Sequence, residues 1–313
     1  MQAALIRHNG PPQVLELGEV PVPPIGDNQV LVRVHASSVN PIDCGVRRGG
    51  LRRFASVPFP IVLGVDLSGV VERSGKDVRE FSQGDEVYGF IPLARGANAE
   101  FVACEDSWLG RKPTRLSHAE AAVLPCVGLT ALQALRDKAR LRAGQNVLIV
   151  GASGGVGTMA VQIACAMGVE VTGVCSTANV DLVRRLGAKR IIDYTRHDPL
   201  QGSQQFDAVF DCVGNQRFWS YRKLLKRGGR HVGISCARRA VIDSLFSQIM
   251  PGRKSFQFHV RAKSADLDLL ATLNEEGKLT PVVTHIYPLA KITEAHCQCE
   301  SGRTVGKIAV TII

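Results

Sequence analysis

The chain has 313 residues, a mass of 33.7 kDa and a formal charge of +10, with 45% hydrophobic and 21% charged residues. These proportions exclude a disordered or collagen-like chain, and the length predicts two domains that each bury a core. The isoelectric point near 9.3 does not predict nucleic-acid binding, because the basic residues occur as short pairs without an aromatic-interleaved stripe.

The first third of the sequence predicts a β-rich domain. Short apolar runs are separated by Gly, Pro and Asp, and the predicted strands cover residues 30–34, 67–71, 86–90 and 99–104. Interrupted strands of this kind are typical of a compact, largely antiparallel, barrel-like unit.

From about residue 117 the pattern changes to alternating strand and helix. Ser117 and Glu120 form a capping box, which predicts a helix start. The predicted strands are 146–150, 170–175, 191–192, 208–211 and 231–234, and the predicted helices are 155–167, 180–186 and 218–225. This alternation predicts an α/β fold with a parallel sheet. A further helix is expected at 265–276, and the tail from about residue 281 reads as strand and ends in 307–312.

A glycine-rich turn at residues 151–157 joins an apolar strand to a helix. A dinucleotide needs this order, because glycines let the backbone approach the pyrophosphate and the helix start presents N–H groups. The strict G-x-G-x-x-G template fails at Ser153 and Val156, but the surrounding strand–helix series favours a dinucleotide site over an ordinary turn. The predicted cofactor contacts of this turn are Ser153, Gly154, Gly155, Val156 and Gly157.

The end of the next strand favours NADPH over NADH. An NAD site usually places a carboxylate about 20 residues after the glycines, and none occurs here before Asp181. A carboxylate would repel a 2′-phosphate, whereas Ser176 and Asn179 are small hydrogen-bond donors. Tyr194, which ends the following strand, could reach the same pocket. The basic surface is then either simply solvated or attracts this anionic cofactor.

Together these motifs resemble the medium-chain dehydrogenase/reductase superfamily, and within it the zinc-free, zeta-crystallin-like quinone oxidoreductase branch. The resemblance covers nearly the whole chain and is carried by residues 21–24, 29–34, 38–43, 64–71, 84–89, 129–131, 151–157 and 306–308. It implies a GroES-like β-barrel domain of residues 1–120 and 281–313, a Rossmann domain of residues 121–280, and a homodimer. It also implies that Ser176, Asn179 and Tyr194 hold the 2′-phosphate, and that Val213, Gly214, Gly233 and Ser235 line the nicotinamide side.

The sequence predicts no metal. The resemblance places Asn40 and Val65 where zinc alcohol dehydrogenases have a Cys and a His, so only Cys126 matches a ligand. One thiolate cannot replace the three protein ligands of catalytic zinc, so Cys126 is interpreted as a packed thiol. The cluster at 296–299 has no fourth ligand nearby in sequence and is interpreted as a helix or loop surface with incidental thiols.

Three residues are candidates for the catalytic chemistry, each with a structural alternative. Asn40 could hydrogen-bond a substrate carbonyl or bridge the backbone before Pro41. Asp43 could orient Asn40 or cap a turn, and Thr130 could contact the nicotinamide or face a helix interior. Without zinc no Lewis acid polarises a carbonyl, which favours acceptors that are already activated.

The sequence therefore predicts an NADPH-dependent, zinc-independent oxidoreductase that reduces quinones or α,β-unsaturated carbonyls. The alternatives are an enoyl-thioester reductase and a non-catalytic NADPH-binding regulator. No segment suits a membrane span, the first ten residues lack a signal-peptide pattern, and nine scattered cysteines suit a reducing compartment. A cytoplasmic location without a membrane partner is expected.

Overall fold

A computed structural model describes residues 1–50, 58–93, 95–234 and 238–313. The chain divides into two compact units. The first, here called the β unit, consists of Met1–Cys126, Ala262–Gly277 and Pro281–Ile313. The second, the α/β unit, consists of Val127–Arg261 and Lys278–Thr280.

The strands and helices are numbered in chain order. The strands are β1 (Gln2–Ile6), β2 (Glu16–Glu19), β3 (Gln29–Val39), β4 (Ile61–Val62), β5 (Asp66–Ser74), β6 (Glu86–Phe90), β7 (Phe101–Glu105), β8 (Leu109–Arg111), β9 (Asn146–Val150), β10 (Glu170–Cys175), β11 (Arg190–Asp193), β12 (Phe206–Asp211), β13 (Leu225–Gly233), β14 (Lys254–Gln257), β15 (Val283–Pro288) and β16 (Lys307–Thr311). The helices are α1 (Pro41–Arg47), α2 (His118–Ala122), α3 (Pro125–Gln133), α4 (Gly155–Ala166), α5 (Val180–Arg185), α6 (Phe218–Tyr221), α7 (Arg238–Ile249), α8 (Ser264–Glu275) and α9 (Ile292–Glu300). No helix in the described ranges is long and apolar enough to cross a membrane.

The β unit is built around the long strand β3. It pairs antiparallel with β5, β7 and β16, and the larger sheet runs in the order β15-β16-β3-β5-β6-β8 with β7 added beside β3. Val30, Val32 and Val34 alternate along β3 and are all buried in one apolar cluster, as the two-residue period of a strand requires. A small antiparallel sheet in the order β2-β1-β4 completes the unit's pairing.

The α/β unit contains a parallel sheet in the order β11-β10-β9-β12-β13-β14. Its central strand β9 is apolar and buried from Val147 to Val150, which is typical of a parallel strand covered on both faces. The predicted parallel sheet and the predicted antiparallel barrel-like domain are both confirmed.

Three helices correct the sequence-based expectations. Helix α8 is grouped with the β unit although the predicted Rossmann domain extended to residue 280, because α8 packs on β8 and the Tyr88 hydroxyl donates to Leu267 O (2.6 Å). Helix α9 interrupts the tail that was expected to be strand-like. Helix α7 was not expected at all.

Candidate functional site

The glycine-rich turn leads from β9 into the start of α4. Gly151 has φ of +80°, a conformation that only glycine adopts readily. Gly154 precedes α4 with extended backbone (φ −78°, ψ 175°), and within the described residues no side chain caps the helix there. The start of α4 therefore presents backbone N–H groups to an anion.

Gly157 fixes how closely α4 packs on the turn. A Cβ at this position would lie 2.1 Å from Gly151 O and 2.8 Å from Ala152 Cα, so no larger residue fits. A Cβ at Gly154 would lie no closer than 3.5 Å to any atom outside its neighbours. Gly157 is thus required by packing, whereas Gly154 borders open space in front of the helix.

Two of the residues predicted for the 2′-phosphate, Ser176 and Asn179, follow the end of β10 and contact Ser153 of the glycine turn. Asn179 Nδ2 donates to Ser176 Oγ (3.1 Å) and to Ser153 Oγ (3.2 Å). All three side chains are half-buried, and the hydroxyl groups of Ser153 and Ser176, which accept from Asn179, can still donate to a ligand. The fold thus joins the glycine turn to the segment after β10 in one polar cluster.

A carboxylate that the sequence argument overlooked also lies at this edge. Parallel pairing of β10 with β11 places Asp193 beside Cys175. The Thr177 hydroxyl donates to Asp193 Oδ2 (2.5 Å), and Thr195 donates its N–H and its hydroxyl to Asp193 Oδ1. These hydrogen bonds, led by that of Thr177, lower the pKa of Asp193, and Arg196 approaches it at 3.5 Å. The edge therefore carries a negative charge, which is already hydrogen-bonded and partly balanced by Arg196.

The turn after β12 is held by Asp211. Its Oδ1 accepts the N–H groups of Val213 and Gly214, both at 2.9 Å, and burial raises the pKa of this carboxyl group. Gly214 and Gly233, which ends β13, line the same small cavity. Ser235 lies outside the described residues, so its predicted contact stays a prediction.

The predicted cofactor residues that the structure describes lie at or just after the carboxyl ends of neighbouring parallel strands. They belong to β9, β10, β11, β12 and β13, which lie side by side in the sheet. Dinucleotides bind at this edge of such sheets. Because the start of α4 has no side-chain cap and Gly154 leaves room in front of it, the residues present fit the anionic part of a nicotinamide dinucleotide.

A second polar cluster is buried in the β unit around Asn40. Asn40 Nδ2 donates to Ser38 Oγ (3.1 Å) and Asp66 Oδ2 (2.9 Å), and Asn40 Oδ1 accepts from Lys307 Nζ (2.6 Å). Both amide hydrogens and the amide oxygen of Asn40 are thus used inside the protein. The geometry favours a positioning role for Asn40 over direct contact with a substrate carbonyl.

Asp43 and Asp66 anchor this cluster to the backbone. Asp43 accepts from Asn40 N (2.8 Å) and Gly64 N (3.2 Å), and Asp66 Oδ1 accepts from Cys126 N (2.8 Å). Burial is the main cause that raises the pKa of Asp43 to about 7, and burial also raises the pKa of Asp66. Asp43 therefore caps α1 and orients Asn40, the two alternatives left open by the sequence.

The sequence argument assigned no role to Asp66 or Lys307. Lys307 is buried in β16 and its ammonium group also donates to Val39 O (3.0 Å), with Asp66 Oδ2 at 3.9 Å. The sequence did contain a signal for this cluster: Lys307 stands in an apolar strand, and a buried ammonium group requires hydrogen-bond partners. Thr130, the third catalytic candidate, is buried in α3 of the α/β unit, and its role stays a prediction.

The residues at the zinc positions do not fit a catalytic zinc ion. Val65 is buried and offers no donor atom, and the amide of Asn40 is fully hydrogen-bonded. Cys126 contributes its backbone N–H to Asp66. Catalytic zinc requires three protein ligands, and the described part of the chain contains no cluster of three His, Cys, Asp or Glu side chains suited to a metal.

The cluster at 296–299 lies on helix α9 rather than on a strand. His296 is fully buried, with its Nδ1 3.5 Å from Cys44 Sγ and 3.4 Å from Arg47 Nε. Cys299 shares a hydrogen bond with Cys44, and Cys297 is exposed. These contacts show a helix that packs on α1, as one of the two interpretations of this cluster expected. The buried His296 and the Cys299 thiol are part of that packing rather than of an exposed surface.

A parallel sheet with a dinucleotide cradle, joined in one chain to an antiparallel barrel-like unit, defines a nicotinamide-dependent oxidoreductase. Two family profiles match the chain: "Alcohol dehydrogenase GroES-like domain" over residues 26–160 and "Zinc-binding dehydrogenase" over residues 186–310. Among the residues that the structure describes, no side-chain cluster suited to zinc accompanies the second description.

Relatives whose names give an oxidoreductase activity match this chain over nearly its full length. NAD(P)H oxidoreductase RTN4IP1, mitochondrial, of Bos taurus is 35% identical over 91% of this chain and 82% of its own. The chloroplastic NADPH-dependent alkenal/one oxidoreductase of Arabidopsis thaliana is 32% identical over 99% of this chain and 79% of its own. The structure of the quinone oxidoreductase from Coxiella burnetii matches with a TM-score of 0.87 and 33% identity, covering 100% of this chain and 99% of that chain. The chain belongs to the medium-chain dehydrogenase/reductase superfamily, with the quinone oxidoreductases, and is an oxidoreductase.

Proposed function

We propose that this enzyme transfers hydride from NADPH to quinones or α,β-unsaturated carbonyl compounds without a metal ion. The observation that carries the cofactor assignment is the cluster of Ser153, Ser176 and Asn179 beside the glycine turn. The serine hydroxyl donors of this cluster, held in place by the Asn179 amide, suit a 2′-phosphate better than a bare ribose hydroxyl. The names of the alkenal/one and quinone oxidoreductase relatives support the acceptor class.

Each group in the proposed reaction has a separate task. The bound cofactor supplies the hydride, and the protein supplies binding, orientation and electrostatics. The start of α4 and the polar cluster after β10 bind the anionic part of the cofactor. The turn at Val213 and Gly214, which Asp211 holds through two hydrogen bonds, would contact the nicotinamide end of the cofactor.

The residues at the positions of the zinc ligands determine which acceptors the enzyme can reduce. Asn40 and Val65 provide no ligand for a Lewis acid, so an isolated ketone or alcohol would receive no polarisation there. Quinones and conjugated enones need less activation, because the oxyanion that forms on hydride addition is delocalised. This argument favours the activated acceptors over simple carbonyls.

The test is NADPH consumption by the purified, chelator-treated protein with three acceptors. An ortho-quinone, a medium-chain alkenal and an enoyl-coenzyme A thioester are compared, each with NADPH and with NADH. We expect turnover with the quinone or the alkenal and a preference for NADPH. Turnover confined to the thioester would replace the proposed acceptor, and tight NADPH binding without any turnover would support the regulatory alternative. The homodimer and the cytoplasmic location stay predictions, to be tested by light scattering and by fractionation.

A further inference from the structure

Two cysteine thiols that are distant along the chain meet where α1 packs on α9 in the β unit. Cys44 lies on α1 and is 4% exposed, and Cys299 lies in the last turn of α9 and is half-buried. Their side chains share a hydrogen bond, and both pack in one apolar cluster. Neither thiol takes part in the proposed hydride transfer.

A histidine and an arginine complete the surroundings of this thiol pair. His296 Nδ1 lies 3.5 Å from Cys44 Sγ and accepts from Arg47 Nε at 3.4 Å. Because Nδ1 accepts a hydrogen bond, it carries a lone pair and can take the proton of the Cys44 thiol. The Arg47 guanidinium group is itself buried and pairs with Glu300. A metal cation at Nδ1 would meet this positive charge, so the group suits proton transfer rather than metal binding.

The two thiols differ in how readily they ionise. The hydrogen bond with Cys44 is the main cause that lowers the pKa of Cys299, and the charge of Lys307 adds to this effect against the opposing effect of burial. The same hydrogen bond, followed by burial, raises the pKa of Cys44. The thiolate is the form of cysteine that attacks an oxidant. Cys299 is therefore suited to react first, and Cys44 to react second.

We propose that Cys44 and Cys299 form a reversible disulfide when a hydroperoxide oxidises Cys299. A small peroxide can reach the half-buried Cys299, whereas Cys44 is covered and can react only with its neighbour. The two sulfur atoms must approach from hydrogen-bond contact to a bond length of about 2.05 Å. The end of α9 is the part of the helix that yields most easily to such a movement.

The oxidation has two steps. The Cys299 thiolate attacks one oxygen of the hydroperoxide and becomes a sulfenic acid, while the O–O bond breaks and the other oxygen leaves, with a proton, as water or an alcohol. The Cys44 sulfur then attacks the Cys299 sulfur, the S–O bond breaks, and the hydroxide that leaves takes up a proton. His296 takes the proton that Cys44 gives up. With hydrogen peroxide, two thiols become one disulfide and two molecules of water are formed.

The inference rests on contacts within the β unit and does not depend on the proposed acceptor. If the acceptor is a quinone, however, its product is a hydroquinone, and reoxidation of a hydroquinone by dioxygen gives hydrogen peroxide. The oxidant would then arise from the product of the enzyme itself. Asn40 precedes α1 and Asp43 lies in its first turn, so the disulfide would join α9 to the helix that carries part of the Asn40 cluster.

Peptide mapping of the full chain before and after treatment with hydrogen peroxide tests the proposal. Trypsin releases Cys44 in the peptide 34–47 and Cys299 in the peptide 292–303. We expect these two peptides to be joined, with the loss of two hydrogen atoms, in protein that stays monomeric on a denaturing, non-reducing gel. Dithiothreitol should separate them. Fragmentation of the joined peptides distinguishes Cys299 from Cys297, which lies in the same peptide.

Four variants separate the steps of the reaction. Cys299→Ser should form no disulfide, and Cys44→Ala should stop at a sulfenic acid on Cys299 that dimedone traps. His296→Gln should form the disulfide about tenfold more slowly or less, with more trapped sulfenic acid than the wild type. Cys297→Ser removes an exposed thiol from the same helix and should react like the wild type. Circular dichroism shows whether each variant is folded.

Three results with the wild type would overturn the proposal. One is the absence of joined peptides at a peroxide concentration that oxidises the exposed Cys297. Another is a disulfide that joins Cys44 or Cys299 to a different cysteine. The third is a sulfinic acid on Cys299 while Cys44 stays reduced. Failure of quinone turnover in protein that still forms the disulfide would affect only the proposed function.

Discussion

The ammonium group of Lys307 is buried, and its stability depends on the acceptors around it. Val39 O and Asn40 Oδ1 accept from it, and the Asp66 carboxylate lies at 3.9 Å. Removing one partner from such a cluster leaves the others buried without compensation, which costs more than the original interaction contributes. Lys307 is thus a structural residue for the whole Asn40 cluster.

Lys307→Met should lower the free energy of unfolding by about 3–5 kcal/mol, because it leaves Asp66 and Asn40 Oδ1 buried without their donor. Chemical denaturation measures the difference. Lys189→Met is the matched control, since Lys189 is 66% exposed in its ion pair with Glu170 and should contribute less than about 1 kcal/mol. Equal losses in the two variants would contradict the assigned role of Lys307.

Asp43 should make the stability depend on pH in the neutral range. Its pKa is about 7 in the folded protein against an ordinary value of 3.8, so between these values the folded state holds a proton that the unfolded chain has released. Stability from this group is complete below the ordinary value and is lost as the pH rises through 7. The wild type should lose about 1–3 kcal/mol more than Asp43→Asn between about pH 5 and about pH 8. Parallel pH profiles of the two proteins, measured by urea unfolding, would refute this assignment.

Ser176→Asp should discriminate between the two nicotinamide cofactors. A new carboxylate in the cluster with Ser153 and Asn179 would face the 2′-phosphate, so the dissociation constant of NADPH should rise about tenfold or more while that of NADH changes little. Calorimetry or fluorescence titration measures both constants. Ala178→Asp adds the same charge at an exposed neighbouring position and should have a smaller effect. An equal loss for NADPH and NADH would remove Ser176 from the phosphate site.

At the scale of elements, the contact between α4 and the glycine turn depends on the absence of one side chain. Gly157→Ala would place a methyl group 2.1 Å from Gly151 O, so the helix must move, at a cost of about 1–3 kcal/mol or more and with loss of cofactor affinity. Gly154→Ala has space for its methyl group, with 3.5 Å to the nearest atom, and should cost about 1 kcal/mol or less. Thermal unfolding and NADPH titration compare the two. A smaller effect at 157 than at 154 would contradict the packing argument.

The elements also show which parts of the fold the sequence could predict. Strand β10 occupies the predicted residues 170–175, because a short apolar run that follows Gly168 and ends before the polar residues at 176–179 is typical of a buried strand. Helix α7 was missed although Val241, Ile242, Leu245, Phe246 and Ile249 repeat at helical spacing, a signal that the sequence argument did not use. Asp193 was missed for a different reason: it reaches the phosphate edge through the pairing of β10 with β11, which a search along the chain does not follow.

For the molecule as a whole, activity should not depend on a bound metal ion. The residues at the zinc positions include a valine and an amide that is fully hydrogen-bonded, so chelation should remove nothing that the reaction needs. We expect unchanged turnover after exhaustive treatment with a chelator and removal of the chelator by dialysis. Loss of turnover that zinc alone restores would contradict the metal-free assignment.

The position of β16 determines the order in which the two units form during synthesis. In the β unit this strand lies between β3 and β15, and it carries Lys307. On the ribosome, β3 therefore lacks its pairing with β16, and Asn40 and Asp66 lack the ammonium group of Lys307, until residues 307–311 have been made. The strands of the α/β unit end at Gln257 and are translated earlier. Because domains fold as units during synthesis, the α/β unit is expected to fold first. The amino-terminal strands would meanwhile stay incompletely paired and accessible to chaperones.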